Sequence, residues 1–301
     1  MYARSIDASH RQTEMSFLLG NEARENAKRS IKALRAHTLK QYEELKLSSS
    51  ENPAENAKLA PEREQILLVL NTKIHLVKTK DYTPRIIPIT HKLHRLGEKS
   101  IALISRDGSY RQPLTEKGSA TEDLFHEIIP YSKAKLIGTS GKALLRLFKE
   151  NDVIVGDARI YERLPDILKA QFYAKNKKVP FKILMAMPTP GQNTRGRSDQ
   201  LCEPKFVRAQ LKSILGNTSI IPPAGGTCVS VVVGFTDWKV SEILTNINDV
   251  ISYLVEDKYQ PVGGLLHTVD NLHSVLIRTK HSVALPVMNK KDTEEEDLSD
   301  A

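Results

Sequence analysis

The first quarter of the chain changes from helical to extended spacing. Between Glu25 and Leu47, apolar side chains recur at three- and four-residue intervals, which predicts an amphipathic helix. The polar run that begins at Ser48 ends this helix. Two short segments after it, 66–70 and 84–90, are expected to be extended, the second because its two prolines exclude a helix interior.

Strand and helix patterns then alternate up to about residue 173. Strands are predicted at 100–104, 135–137 and 152–156, and helices at 121–128, 141–149 and 160–173. This alternation is typical of a small parallel sheet covered by helices. Two prolines and a glycine within 188–191 end the segment.

A third pattern follows, with helices predicted at 204–215 and 240–254, and strands at 227–234, 274–279 and 283–287. These elements can complete the helix and strands that precede residue 98, so that the alternating unit is an insertion. We therefore predict a split α+β domain at 24–98 plus 195–288 and an inserted α/β domain at 99–194. The hinge is expected near 97–99 and 188–198. Residues 1–23 are expected to form a loosely held arm.

The charge of the chain favours an acidic partner. Its formal net charge is +8 and its pI is near 9.3, which favours nucleic acid over a membrane surface. No acidic residue occurs between Ile167 and Ser198, whereas seven Lys or Arg residues do. Such a segment suits a polyanion, although a solvated cationic loop explains a charge run equally well. The tail at 289–301 carries six acids after Lys291 and is expected to be disordered.

Catalytic and cofactor motifs are not predicted. Cys202 and Cys228 form no CxxC pair, and two cysteines imply no disulfide framework. The run Gly138-Thr-Ser-Gly-Lys-Ala143 lacks the glycine and the hydroxyl residue that a phosphate loop needs at 136 and 143, so Thr139 or Ser140 is expected to cap a helix instead. We expect a non-enzymatic protein without a cofactor.

Metal binding and membrane insertion are not expected either. His91 and His94 stand beside Lys92 and Arg95, which would repel a cation, so these histidines are expected to extend a positive surface with Arg85 and Lys99. No apolar run approaches the roughly 20 residues of a membrane span, and the first residues lack a signal-peptide core. We expect a reducing compartment, the cytosol or the nucleus.

Three separated segments resemble the ribosomal protein L-one family, the stalk proteins of the large subunit and their nucleolar relatives. They are 157–183, Gly226-Thr-Cys-Val-Ser-Val-Val-Val-Gly234 and Leu276-Ile-Arg-Thr-Lys-His-Ser-Val-Ala-Leu-Pro286. The resemblance implies a two-domain α/β fold. A split α+β domain carries the main RNA surface, and a Rossmann-like three-layer α/β domain is inserted into it.

Segments 202–222 and 296–300 resemble the eukaryotic ribosome-biogenesis branch of that family. The resemblance implies an RNA-binding factor of rRNA processing in the nucleolus, part of the small-subunit processome (90S pre-ribosome). Its implied partners are pre-ribosomal RNA, other assembly factors and ribosomal proteins, with the protein a monomer inside a large ribonucleoprotein and away from membranes. The alternatives are a factor of large-subunit precursors, a protein-interaction scaffold without RNA specificity, and a cytoplasmic stalk protein.

The candidate RNA contacts combine the resemblance with the chemistry of cations and hydroxyls, which bind phosphate and the ribose 2′-hydroxyl. They are Asn71, Lys73, Lys175, Lys177, Lys178, Thr227, Ser230, Thr279, Lys280 and Ser282. In ribosomal members a Thr-Met-Gly-Pro type loop meets RNA; here the matching run is Thr279-Lys-His-Ser282, so only Thr279 carries over. We expect Thr227, Ser230, Thr279 and Lys280 to share one exposed surface. Since aromatic residues make up only 6%, we expect recognition through the RNA shape and backbone.

Overall fold

The computed structural model describes residues 17–48, 63–79, 81–108, 111–174, 178–187, 202–223 and 225–289. The expected arm at 1–23 lies largely outside these residues, and the acidic tail lies outside them from residue 290 onward. The described part of the arm is not loosely held, because α1 begins at Asn21 and the side chains of Phe17 and Ala23 are buried in the core. The described elements are, in chain order, α1 (Asn21–Ser48), β1 (Gln65–Thr72), β2 (Arg85–Ile87), β3 (Ile101–Ser105), α2 (Arg111–Thr115), β4 (Glu127–Pro130), α3 (Tyr131–Thr139), α4 (Gly141–Glu150), β5 (Val153–Asp157), α5 (Leu164–Tyr173), β6 (Phe181–Ile183), α6 (Pro204–Gly216), β7 (Thr218–Ile220), β8 (Cys228–Phe235), α7 (Val240–Val255), β9 (Leu272–Arg278) and β10 (Leu285–Asn289).

An antiparallel sheet with the order β10-β9-β1-β8 forms the first layer. In β1 every second side chain, Ile66, Leu68 and Leu70, is fully buried, as expected for a strand with one covered face. Helices α1 and α7 cover that face, and both contribute side chains to the same core, among them Ile31 and Leu34 of α1. The opposite face of the sheet carries no helix among the described elements.

A parallel sheet with the order β4-β3-β5-β6 forms the second unit. All five side chains of β3 are buried, because helices cover both faces of the sheet. On one face Ala102 and Ile104 of β3 pack with α3, α4 and α5. On the other face Ile101 and Leu103 pack with α6. The predicted three-layer α/β arrangement and the two-domain fold are confirmed.

Helix α6 lies on a different sheet from the one that its position in the chain suggested. The predicted boundary at residue 195 assigns 204–215 to the split domain. In the structure the buried stripe of α6, which includes Val207 and Leu211, packs against the parallel sheet. An apolar stripe predicts that a helix covers a sheet but does not predict which sheet.

Two predicted elements between residues 121 and 139 are wrong. Residues 121–126 form turns, in which the Thr121 hydroxyl donates to the Leu114 carbonyl at 2.7 Å. The strand is β4, and α3 occupies 135–137, where a strand was predicted. Two causes misled the prediction: β4 is too short to show a period, and Leu136 is 71% exposed on α3.

A two-stranded ribbon joins the two units. Strand β2 pairs with β7, so that Ile86 faces Ser219. Ile87 and Ile220 belong to the core of the antiparallel sheet, whereas Ile86 packs against the core of the parallel sheet. The ribbon therefore contributes side chains to both cores at the point where the chain enters and leaves the insert.

Three side-chain acceptors fix the backbone between the ribbon and the insert. Asn246 is fully buried; its Oδ1 accepts the His91 N–H, and its Nδ2 donates to the carbonyls of His91 and Val233, all at 2.9 Å. Asn217 Oδ1 accepts the Ile89 N–H at 3.2 Å, and Asp249 Oδ2 accepts the Thr90 N–H at 2.7 Å. A segment without regular structure thus has its polar backbone groups paired, as burial requires.

The packing of α6 predicts where the insert can be removed. Deleting 100–187 and joining the ends with a Gly-Ser linker should give an aggregating product, because the apolar stripe of α6 loses its sheet. Deleting 97–215 should leave a soluble, cooperatively folding remainder, since the Leu93 N–H meets the Gly216 carbonyl at 2.8 Å and keeps the new ends close. Thermal melts of both products check this, and a folded 100–187 deletion would show that α6 does not need the parallel sheet.

The network around Asn246 predicts a large effect from a small change. Asn246→Ala should lower the free energy of unfolding by about 3 kcal/mol, because buried backbone groups of His91 and Val233 lose their partners. The matched control is Asn248→Ala, which removes one exposed bond to the Leu18 N–H and should cost about 0.5–1.5 kcal/mol. Urea titrations of the two variants give the comparison, and equal losses would contradict the assigned role of Asn246.

Candidate nucleic-acid interface

The candidate residues on β8 and β9 lie at opposite ends of the antiparallel sheet. Both strands are antiparallel to β1, so they run parallel to each other. Thr227 precedes β8 and accepts the Thr72 N–H at 2.7 Å, at the end of β1. Thr279 follows β9 one residue beyond the pair Leu67–Arg278, near the start of β1. The two threonines are therefore separated by about six strand residues, or roughly 20 Å.

The expected single exposed surface of Thr227, Ser230, Thr279 and Lys280 is therefore wrong. Besides the separation along the strands, Thr279 is only 1% exposed, whereas Ser230 and Lys280 are exposed. A match between sequence segments places residues on strands but does not give the direction of one strand relative to another.

At the first end, four candidates gather around the end of β1. The Asn71 amide donates to the Ser274 hydroxyl at 2.8 Å, and the Thr227 carbonyl accepts the Thr72 hydroxyl at 3.0 Å. Lys73 and Ser230 are exposed, and Thr227 is half-buried. The Thr227 backbone thus has a structural role, while the side chains of Lys73 and Ser230 are exposed.

A cleft of about 500 Å³ separates this part of β8 from the insert. Cys228 and Ser230 line it on the sheet side, and Asp152, Lys178 and Phe181 line it on the insert side. Cys228 is exposed. Ser230 therefore faces a groove between the two units, not an open sheet surface.

Lys178 holds the end of helix α4 in place. Its Nζ donates to the carbonyls of Phe148 and Asn151 at 2.5 and 2.6 Å, and it lies 4.3 Å from the centre of the Phe148 ring. Burial lowers the pKa of this ammonium group. A cation bound to the last carbonyls of a helix is also favoured by the helix dipole. These contacts give Lys178 a structural role; its neighbours Lys175 and Lys177 lie outside the described residues.

At the second end, the loop after β9 is organised by its own backbone. The Thr279 N–H donates to the Ser282 hydroxyl at 2.8 Å, and that hydroxyl donates to the Val283 carbonyl at 3.0 Å. The Arg278 guanidinium donates to the carbonyls of Thr279 and Lys280 at 3.1 and 3.2 Å. Arg278 therefore orders the backbone of the loop. Its positive charge lies beside the exposed residues Lys280 and His281. Ser282 acts by fixing the turn.

A cavity of about 520 Å³ lies beside this loop, and we call it the basic pocket. Its lining residues are Arg63, Glu64, Gln65, His94, Glu98, Lys99, Phe235, Lys280 and His281. Burial, and next the charge of Lys99, lower the pKa of His94. The lowered pKa favours the neutral imidazole of His94, and the cationic side chains that line the pocket are Arg63, Lys99 and Lys280.

Aromatic contacts build the wall of the basic pocket. The Arg63 guanidinium lies 3.8 Å from the centre of the Phe235 ring, and its Nε is 3.3 Å from Asp237 Oδ1. The His94 ring meets the same Phe235 edge-on at 5.4 Å. Sequence reasoning expected His94 and Lys99 in a positive surface but missed Arg63. The available signal was that Arg63 lies two residues before β1, the neighbour of β9.

The chemistry of the basic pocket suits phosphate groups. Three cations and two imidazoles border it against two carboxylates, and cations at such a site bind polyanions by neutralising phosphates.

Ser140 caps α4 by accepting the Ala143 N–H at 3.4 Å, which confirms the helix-cap prediction. The described residues contain no cluster of metal-ligand type. Nor does any described helix have the length and apolarity to cross a membrane.

Comparison with known proteins agrees with this architecture. The profile of the ribosomal protein L1p/L10e family matches residues 25–283. Ribosome biogenesis protein UTP30 of Saccharomyces cerevisiae is 36% identical over 254 residues, which cover 82% of this chain and 90% of the yeast protein. Ribosomal L1 domain-containing protein 1 of Mus musculus is 24% identical over 289 residues, which cover 91% of this chain and 53% of the mouse protein. The resemblance noted in the sequence is thereby confirmed, and the chain belongs to the ribosomal protein L1p/L10e family.

Proposed function

We propose that this protein is a non-enzymatic ribosome-biogenesis factor that binds the backbone of folded pre-ribosomal RNA. The ordered loop at 278–282 carries the proposal, because it presents Lys280 and His281 beside Arg63 and Lys99. Because hydrogen bonds already order the backbone of this loop, phosphate binding does not have to fix it. The role in ribosome biogenesis is supported by the similarity to ribosome biogenesis protein UTP30 of Saccharomyces cerevisiae.

Finer proposals rest on the resemblance of segments 202–222 and 296–300 to the ribosome-biogenesis branch of the family. We place the protein in the nucleolus, in the small-subunit processome, as a monomer in contact with RNA, assembly factors and ribosomal proteins. The net charge of +8 supports RNA as the partner. A role in large-subunit precursors is the alternative, and sedimentation with precursors of one subunit or the other distinguishes the two.

The two ends of the sheet have different roles in this proposal. The basic pocket supplies the phosphate contacts, since Arg63, Lys99 and Lys280 line it. Lys73 and Ser230 at the other end add contacts about 20 Å away, a distance set by the length of β1. An RNA segment that reaches both ends covers the open face of the sheet and the mouth of the cleft beside Cys228.

The first prediction concerns the charge of the basic pocket. Binding of a structured RNA should weaken with a slope of log affinity against log salt of about −4 to −5, if about six phosphates are neutralised. Lys280→Ala should weaken binding several-fold and reduce that slope by about 1, because one phosphate contact is lost. Thr279 stays unchanged, since replacing this buried residue would disturb packing. Gel shifts at four salt concentrations measure both quantities.

The matched control for Lys280→Ala is Lys142→Ala, which removes an exposed lysine from the insert. It should change the RNA affinity less than two-fold, because the charge that it removes is distant from the basic pocket and is screened by salt. Normal binding by Lys280→Ala together with lost binding by Lys142→Ala would move the site to the insert. A salt-independent affinity of the unchanged protein would favour the protein-interaction scaffold.

The second prediction uses the two cysteines as reporters of the RNA footprint. Maleimide should label exposed Cys228 at least about 100-fold faster than Cys202 at pH 7.5, because burial raises the pKa of Cys202 to about 11 and leaves little thiolate. Bound RNA should slow the labelling of Cys228 and leave that of Cys202 unchanged. Mass spectrometry of quenched samples gives both rates. Undiminished labelling of Cys228 at saturating RNA would restrict the RNA to the basic pocket.

A further inference from the structure

A groove runs between helices α1 and α7 on the side of the protein away from the open sheet face. It encloses about 440 Å³. Phe17, Val240 and Leu244 give it an apolar floor, and Arg24, Lys28 and Lys32 of α1 line one side. None of these residues belongs to the candidate RNA interface.

The basic side of this groove is a regular stripe. Residues 24, 28 and 32 lie four apart, so that they share one face of α1. Lys28 is 2.5 Å from Glu25, whereas Arg24 and Lys32 form no ion pair with any residue that the structure describes. The groove therefore combines apolar surface with uncompensated positive charge, which fits an acidic segment that also carries an apolar side chain.

The chain itself contains such a segment beyond the described residues. Within 292–301, the sequence Asp-Thr-Glu-Glu-Glu-Asp-Leu-Ser-Asp-Ala has six acidic residues, no basic residue and one leucine, Leu298. It follows β10, which runs beside α1: the Ser30 hydroxyl donates to the Pro286 carbonyl at 3.0 Å, and the Asn26 amide donates to the Val287 carbonyl at 3.5 Å. As β10 advances toward residue 289, it moves toward the end of α1 that carries Arg24.

The lengths agree with a docked tail. Acidic residues 292–297 follow the end of β10 by three to eight positions, which is a reach of about 10–28 Å. Crossing α1 requires about 10–12 Å, and Arg24 to Lys32 spans about 12 Å along the helix axis. A tether this short gives an effective concentration in the millimolar range. Weak, exposed ion pairs are then sufficient to keep the groove occupied.

We propose that the acidic C-terminal tail docks in the groove between α1 and α7, with its carboxylates against Arg24, Lys28 and Lys32 and Leu298 on the apolar floor. This intramolecular contact is independent of RNA binding, because the groove and the basic pocket share no lining residue. While it is docked, the tail blocks the groove for acidic segments of other proteins. A partner reaches this groove only by displacing the tail.

Carbodiimide crosslinking of the full-length protein tests the proposal, since this reagent joins a carboxylate to an amine in direct contact without a spacer. At low salt, mass spectrometry should find Lys28 or Lys32 joined to residues 292–297. The crosslinks should be lost in 1 M NaCl, where the screening length falls to about 3 Å. They should persist at saturating RNA, which separates this proposal from the RNA-binding one.

The decisive variant is R24E/K32E, which keeps Lys28 as the reporter and should abolish its crosslink to the tail. The matched control R29E/K40E makes the same charge change at exposed positions of α1 outside the groove and should leave the crosslink intact. A mixture of light and isotope-labelled protein should give only light–light and heavy–heavy pairs. Mixed pairs would assign the groove to the tail of a second copy. Tail crosslinks spread evenly over surface lysines, or an unchanged yield in R24E/K32E, would overturn the proposal.

Discussion

The pairing of β1 with β8 on one side and β9 on the other determines the rest of the split domain. The partners of β1 follow it by more than 150 residues in the chain, and the insert lies between β1 and β8. The register directs Ile66, Leu68 and Leu70 into one core beneath α1 and α7. It also directs β8 and β9 along the same direction, which places their starts at one end of the sheet and their ends at the other. The candidate RNA groups are consequently two clusters.

The position of the insert depends on a second constraint, the pairing of polar groups around the ribbon β2–β7. The ribbon contributes side chains to both cores. Asn246 is buried beside the segment that follows strand β2 of the ribbon. Because a buried amide with all its bonds made tolerates little displacement, the segment at 89–91 is fixed relative to α7. The walls of the cleft beside Ser230 are therefore set by packing, while Lys178 is held within the insert wall by the end of α4.

Sequence patterns predicted the elements whose side chains are sorted by a single sheet. The run at 66–70 and the helix at 240–254 were predicted for that reason, and both fall within the observed elements. The patterns failed where a local period conflicts with exposure, as at Leu136, and where an apolar stripe has two possible partners, as in α6. The burial of Thr279 and the bonds of Lys178 depend on residues distant in the chain. No local pattern contains that information. The resemblance to a family supplied the architecture, which the periodicity of the residues alone left as one topology among several.

The central claim is that the loop after β9 and Arg63, two residues before β1, together form the RNA contact. Ultraviolet crosslinking of the purified protein to a folded pre-ribosomal RNA segment, followed by mass spectrometry of peptide–nucleotide adducts, locates the contact directly. The account predicts adducts on the peptides that contain Lys280–His281 and Arg63, with further adducts near Lys73. Adducts confined to α4 and the rest of the insert, with none on these peptides, would contradict it.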